Sequence, residues 1–327
     1  MAAAVPDGER AALADAAVRL LEAALPPDES VPTRSHTGWQ LLVPHVDHLL
    51  RTAPGERSAR LAVRVARQMH HAGDFAGALK SSRETGRIAA RHLGAEHPVS
   101  LAARDAEAWA THFLTHYADA EVLHRRNLAA RERVLGTDRP DTWWSCLGLG
   151  LSLSLLGRYE EAERTLRRAV DGQRRVLGED ALETLFSRSR LIQTLPHLGK
   201  WDEFKAEAQV VEDCERVLPP DHLTTVAARH GCAEGLRVFE RFAEAEPIAR
   251  RVLADRSRLQ GSDHPLALAA LNLTALVAYG LGKTGEAVAL CEQLVERRER
   301  VLGAEHPFVL GNRERLARWR AEAAGGS

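Results

Sequence analysis

Between Pro140 and Gly178, Leu149, Leu153 and Leu156 recur at spacings of four and three, which puts them on one stripe of an α-helix. Gly157 ends that pattern, and Arg158-Tyr159 reads as a turn. Beyond it, Ala162, Leu166 and Ala169 resume the helical spacing, with small residues that let two helices approach closely. Pro140 sits where the first helix begins, since the N–H it lacks has no partner at a helix start. The run Arg174–Gly178 closes the second helix. Arginine there offsets the dipole, and glycine is expected to supply a left-handed cap. The stretch therefore predicts a helix hairpin.

The same hairpin recurs along the chain. Its marker phrase is LGAEHP at Leu93–Pro98, LGTDRP at Leu135–Pro140, LGEDAL at Leu177–Leu182, LPPDHL at Leu218–Leu223, QGSDHP at Gln260–Pro265 and LGAEHP at Leu302–Pro307. The copies start 42, 42, 41, 42 and 42 residues apart. An aromatic column (Phe75, Tyr117, Tyr159, Trp201, Phe242, then Thr284) and a small column (Ala78, Ala120, Ala162, Phe204, Ala245, Ala287) keep the same step. A fixed period of this size signals a repeat architecture. One hairpin cannot bury its apolar face alone, so neighbours must stack. The expected fold is all-α, a right-handed superhelical solenoid of antiparallel hairpins with helical caps.

Six hairpins are expected at about 57–92, 98–134, 140–176, 182–217, 223–259 and 265–301. Residues 1–55 would form an N-terminal cap: a helix at Ala11–Leu25, a loop from Pro26 through Thr37, and a helix around Pro44–Arg51. The repeats would fill 56–305. Residues 306–327 would form a closing helix, Pro307–Glu322, and a frayed tail. The one-residue deletion between Trp201 and Val217 should shorten the second helix of the fourth hairpin.

With the phrase LGxxHP and the run Arg158-Tyr159-Glu160-Glu161-Ala162-Glu163, the chain resembles tetratricopeptide repeats of the long kinesin-light-chain type. The resemblance covers roughly Glu56 to the C-terminus. It implies the solenoid and a concave binding groove, but no particular function, because function sits in sites grafted on folds. Trp39–Leu50 is similar to the segment that opens the repeat region of actinobacterial STAND-type signalling ATPases, here without the ATPase domain.

Composition narrows the function. Apolar residues make up 45% and charged residues 27%, and the formal net charge is −1, so no basic stripe points to nucleic acid. No uncharged apolar run is long enough to span a bilayer. The first residues lack a secretory pattern, as Glu9, Arg10, Asp15 and Arg19 interrupt them. A cytoplasmic protein, monomeric or weakly self-associating, is expected, without nucleic-acid or membrane partners and without a cofactor. Cys146, Cys214, Cys232 and Cys291 form no CxxC pair, and three of them fall on apolar columns.

Gly282-Lys283-Thr284 invites a phosphate-loop reading, but the first glycine of that motif would fall on Val277, and Gly282 aligns with the turn residue Gly157. His112 and His116 stand four apart, a spacing that can chelate a metal, yet no third ligand is specified. The histidines of the marker phrase, His97, His222, His264 and His306, read as helix-start residues, since a catalytic set would not be copied once per repeat.

Family geometry carries the first-helix columns to the groove. These are Arg60, Arg67, His70 and His71, then Asp105, Trp109 and His112, then Trp144, Gln193, His230, Glu234, Arg237, Asn272 and Tyr279. Aromatic residues and arginine dominate binding energy at interfaces. The leading expectation is a scaffold or adaptor that binds a protein or peptide. The alternatives are a peptide-responsive regulatory sensor, and an enzyme or metalloprotein using the groove histidines.

Overall fold

The computed structural model describes residues 7–25 and 37–325. Of the loop expected from Pro26 through Thr37, residues 26–36 lie outside the described residues, as do 326–327, and Thr37 opens a 3-10 helix, Thr37–Leu42. The described residues are helical, with no strand among them. The chain divides into two compact units, Met1–Arg158 and Tyr159–Ser327.

In the first unit, α1 (Asp7–Ala24) and α2 (Val43–Thr52) precede two hairpins. These are α3 (Glu56–His71) with α4 (Phe75–Leu93), and α5 (Pro98–Phe113) with α6 (Tyr117–Leu135). A further helix, α7 (Pro140–Leu155), packs on α6. The first helices α3, α5 and α7 lie side by side. Leu61, Leu101, Trp143 and Leu147 are sealed between helices, and Ala78 and Ala120 hold the close crossings.

The second unit starts with α8 (Tyr159–Leu177), which packs on α9 (Leu182–Thr194). A 3-10 turn at Leu195–Leu198 leads into α10 (Trp201–Glu207) and α11 (Val210–Val217). Hairpins α12 (Leu223–Val238)/α13 (Phe242–Gln260) and α14 (Pro265–Gly280)/α15 (Thr284–Leu302) follow, and α16 (Pro307–Gly325) closes the unit. That last helix runs three residues past Glu322, so the tail expected to fray from Ala323 is helical to Gly325.

The marker phrase has a physical account. In His97, His222, His264 and His306 the imidazole Nδ1 accepts the N–H two residues on, at 3.2–3.3 Å. The repeated histidine is thus a helix N-cap that satisfies one of the orphan donors of the first turn. The glycine of the phrase differs from expectation. Gly94 and Gly136 take φ of 103° and 95° with ψ of 149° and 168°. This is the extended positive-φ region open to glycine alone, not the left-handed helical cap.

The fourth second helix also differs from expectation. With one residue fewer, it breaks into α10 and α11 instead of shortening. Phe204 on α10 fills the column that holds alanine elsewhere and is fully buried. Gly235 on α12 makes room for it, since a Cβ there would lie 2.1 Å from the Phe204 ring. Bulk and space have been exchanged between facing helices, as close packing requires. The Gly282-Lys283-Thr284 segment is a turn: Gly282 has φ of 74°, and Lys283 pairs with Glu246 at 2.6 Å.

Candidate functional site

On the first-helix face of the first unit, aromatic and imidazole rings gather around Trp109. Its centroid lies 5.2 Å from Trp144, 5.8 Å from His112 and 5.3 Å from His124. His70 sits 4.7 Å from Phe113 and 5.3 Å from Phe75. Trp109 is 7% exposed and His112 6%, so both belong to the packed layer and not to an open groove wall, which corrects the sequence expectation. The indole N–H of Trp109 meets no acceptor among the described residues. Trp144 stands over this layer with 37% of its surface exposed.

His112 Nδ1 lies 3.0 Å from Ser152 Oγ, and the Ser152 hydroxyl itself donates to the Gly148 carbonyl at 3.0 Å. His116 is the residue before α6. Among the described residues no three His, Cys, Asp or Glu side chains converge as a metal-ligand set. Arg60 is exposed and pairs with Glu56; Arg67 and His70 are half-buried, and His71 is exposed.

Asp105 is not a groove residue. It is 3% exposed, and its Oδ1 accepts from Arg131 Nη1 at 2.9 Å and from Ser145 Oγ at 3.2 Å. The same arginine nitrogen reaches the Asp141 carbonyl at 2.6 Å. This is a buried ion pair braced by the Ser145 hydroxyl and the Asp141 carbonyl, while Arg131 Nε meets no acceptor among the described residues.

In the second unit, the first helices α9, α12 and α14 pack side by side and form a face. Gln193, His230, Glu234 and Arg237 are half-buried on it. Arg237 grips Glu234 with two hydrogen bonds, 3.0 and 2.7 Å. Burial raises the Glu234 carboxyl, but the hydrogen bond and charge of Arg237 outweigh it and hold the group below its usual range. Burial pushes His230 down to about 4, so its ring is neutral at pH 7. His197 stacks flat on Tyr159 at 4.4 Å.

Two expected residues here are taken by the closing helix. Asn272 Oδ1 accepts from Arg315 on α16. Tyr279 donates its hydroxyl to Glu322 at 2.6 Å and stacks on Trp319 at 4.5 Å. Both are contacts within the fold, because α16 covers the face that the columns placed in the groove.

Two residues of this face were missed from sequence. Arg190 on α9 is off the chosen columns by one position, and Arg256 lies on the second helix α13. Arg190 has its guanidinium 4.7 Å from the Phe186 ring. The available signal was register: Arg256 falls on the same column as Arg131. Beside the α10/α11 break, a cavity of about 470 Å³ is lined by Gln209, Glu212, Arg229, Cys232, Pro247 and Arg251. Burial lifts the Cys232 thiol to about 11, so it is no nucleophile at neutral pH.

A family model described as "Tetratricopeptide repeat" matches residues 114–175 and 224–300. Among solved structures, BtubC (BKLC) from P. vanneervenii aligns with a TM-score of 0.52 at 14% identity, over 74% of this chain and 91% of that one, a likeness of fold alone. The nearly identical TPR-like repeats of a Podosopora anserina kinesin light chain align with a TM-score of 0.48 at 23% identity, over 61% and 96% of the two chains. A Rap protein complexed with competence and sporulation factor aligns with a TM-score of 0.45 at 14% identity, over 88% and 71%. No curated protein sequence matches the chain.

Proposed function

We propose, from the premise that the hairpins at 114–175 and 224–300 are tetratricopeptide repeats, that this chain is a binding scaffold for another protein. Each unit offers its own first-helix face, and the bound element is an extended segment of the partner. The observation that carries this reading is Trp144, an exposed indole seated on the buried Trp109–His112 layer. A rigid aromatic ring on a fixed base loses little entropy when a partner covers it, and such residues anchor interfaces. The four cysteines are all free thiols, three of them buried, which fits a reducing compartment such as the cytoplasm. No helix among the described residues is long and apolar enough to cross a membrane.

Site-specific photocrosslinking tests the proposal. A benzoylphenylalanine at position 144, in the full chain expressed in its native host, should yield a discrete protein adduct. The same probe at Arg83, exposed on a second helix, should not. A protein adduct of equal yield at both positions, or none at 144, would refute a binding face centred on Trp144.

A further inference from the structure

Arg131 and Arg256 occupy one column of the repeat, and Asp105 and His230 occupy another, each pair 125 residues apart. In the first unit the arginine is neutralised by the aspartate, with Ser145 bracing both. In the second unit the aspartate's place is taken by His230, and the counterpart of Ser145 is Ala270. Arg256 is nevertheless buried, 4% exposed. Its hydrogen bond stays within its own helix, to Gln260 Oε1 at 2.8 Å.

Arg190 stands on α9 with a buried Nε that meets no acceptor among the described residues. One turn along α9, the buried Nε2 of Gln193 also meets none. The acids nearby are engaged elsewhere: Asp255 with Arg229 and Arg258, and Glu234 with Arg237. Among the described residues, no carboxylate forms an ion pair with Arg190 or Arg256. Burial brings Arg190 down to about 10, and burial together with Arg190 brings Arg256 to about 9. Both stay charged at pH 7, beside a His230 that is neutral there. Arg190 and His230 are half-buried, so solvent reaches them.

We propose that Arg190, Gln193 and Arg256, around His230, form a site for a side-chain carboxylate of the bound partner, in the role that Asp105 plays for Arg131. This deepens the scaffold reading and rests on it. A carboxylate fits better than a phosphate for two reasons. Its column counterpart, Asp105, is itself a carboxylate. The ionised Glu234 close by disfavours a second negative charge.

The test uses the full chain with pentaglutamate as probe, by calorimetry at low salt, with pentaglutamine and inorganic phosphate as comparisons. Wild type should bind pentaglutamate and not pentaglutamine, and phosphate should displace it only weakly. Arg190→Gln, at the half-buried position, should weaken binding about tenfold, as expected for loss of a charge-assisted contact. His230→Asp should supply the carboxylate from within, raising the melting temperature and abolishing pentaglutamate binding. Absence of wild-type binding, equal affinity in Arg190→Gln, unchanged binding by His230→Asp, or phosphate binding more tightly than pentaglutamate each overturn the site. The crosslink at position 144 lies in the other unit and is scored separately. An adduct there without pentaglutamate binding removes this site and leaves the scaffold; pentaglutamate binding without an adduct removes the face centred on Trp144 and leaves this site.

Discussion

Lowering the pH from 7 to 5 should cost the first unit about 2 kcal/mol through one side chain, His124. The ring is fully buried on α6, edge-on to Trp109 at 5.3 Å, and neither nitrogen has a partner among the described residues. Burial, helped by the charge of Arg131, drops its pKa from 6.5 to about 3. In the unfolded chain the imidazole titrates near 6.5, so below that pH the unfolded state takes up a proton that the folded state refuses. The contribution is complete above pH 6.5 and is lost at about 1.4 kcal/mol per unit as the pH falls toward 3. The interval from 7 to 5 lies above the ordinary carboxylate range, so aspartates and glutamates add little. Urea unfolding followed by tryptophan emission at both pH values, for wild type and His124→Leu, isolates the effect. Leucine is the residue of the same column in the next copy, the fully buried Leu166. Burial also lowers His197, His222 and His230 in the second unit, but these are common to both proteins and cancel. His124→Leu should lose about 2 kcal/mol less than wild type over this interval. The same pH dependence in both proteins would refute a buried neutral His124.

Two further outcomes follow from the same unit. Asp105→Ala should destabilise it by about 3–5 kcal/mol by stranding the Arg131 charge, whereas Asp105→Leu combined with Arg131→Met should recover most of that loss. Denaturant midpoints check it, and a double variant no better than the single one counts against the buried pair. Gly148→Ala would place a Cβ 2.2 Å from His124 Cε1, so overpacking of about 1–3 kcal/mol should exceed the gain of about 1 kcal/mol in helix propensity. With His124→Ala already in place the sign should reverse; a Gly148→Ala effect independent of residue 124 would show that the ring does not set the space.

The hairpins were legible because their signals are local. Pro98, Pro140 and Pro265 each begin a helix, and the preceding residue caps or precedes it within one turn. The faces were only partly legible, because a column states which way a residue points and not what else points there. Trp109 was expected in an open groove, but His70, Phe113, His112 and Trp144 close around it. Tyr279 and Asn272 were expected to be free for a ligand, but α16 reaches both with Glu322 and Arg315. The missing residue of the fourth copy was visible as a step of 41, yet its result, a broken helix, depends on how Phe204 seats against Gly235.

The Asp105 column carries the deeper lesson, since its copies read Asp105, Leu147, Ser189, His230 and Asn272. Leu147 needs no partner and is simply buried. Ser189 donates to the Phe186 carbonyl at 2.6 Å, inside its own helix. Asp105 and Asn272 are each answered by an arginine. His230 is not matched in this way: the arginine of the facing column remains, and the acid that would balance it is gone. Buried donors without acceptors are expensive, and folded proteins keep few of them. A repeat protein can place a polar residue on a core column at little cost when the next helix supplies its complement. Where the complement is missing from the chain, a partner that brings it gains the full value of the unmet hydrogen bonds. On that reasoning the second unit's specificity lies less in its exposed side chains than in the unanswered charge of Arg190 and Arg256.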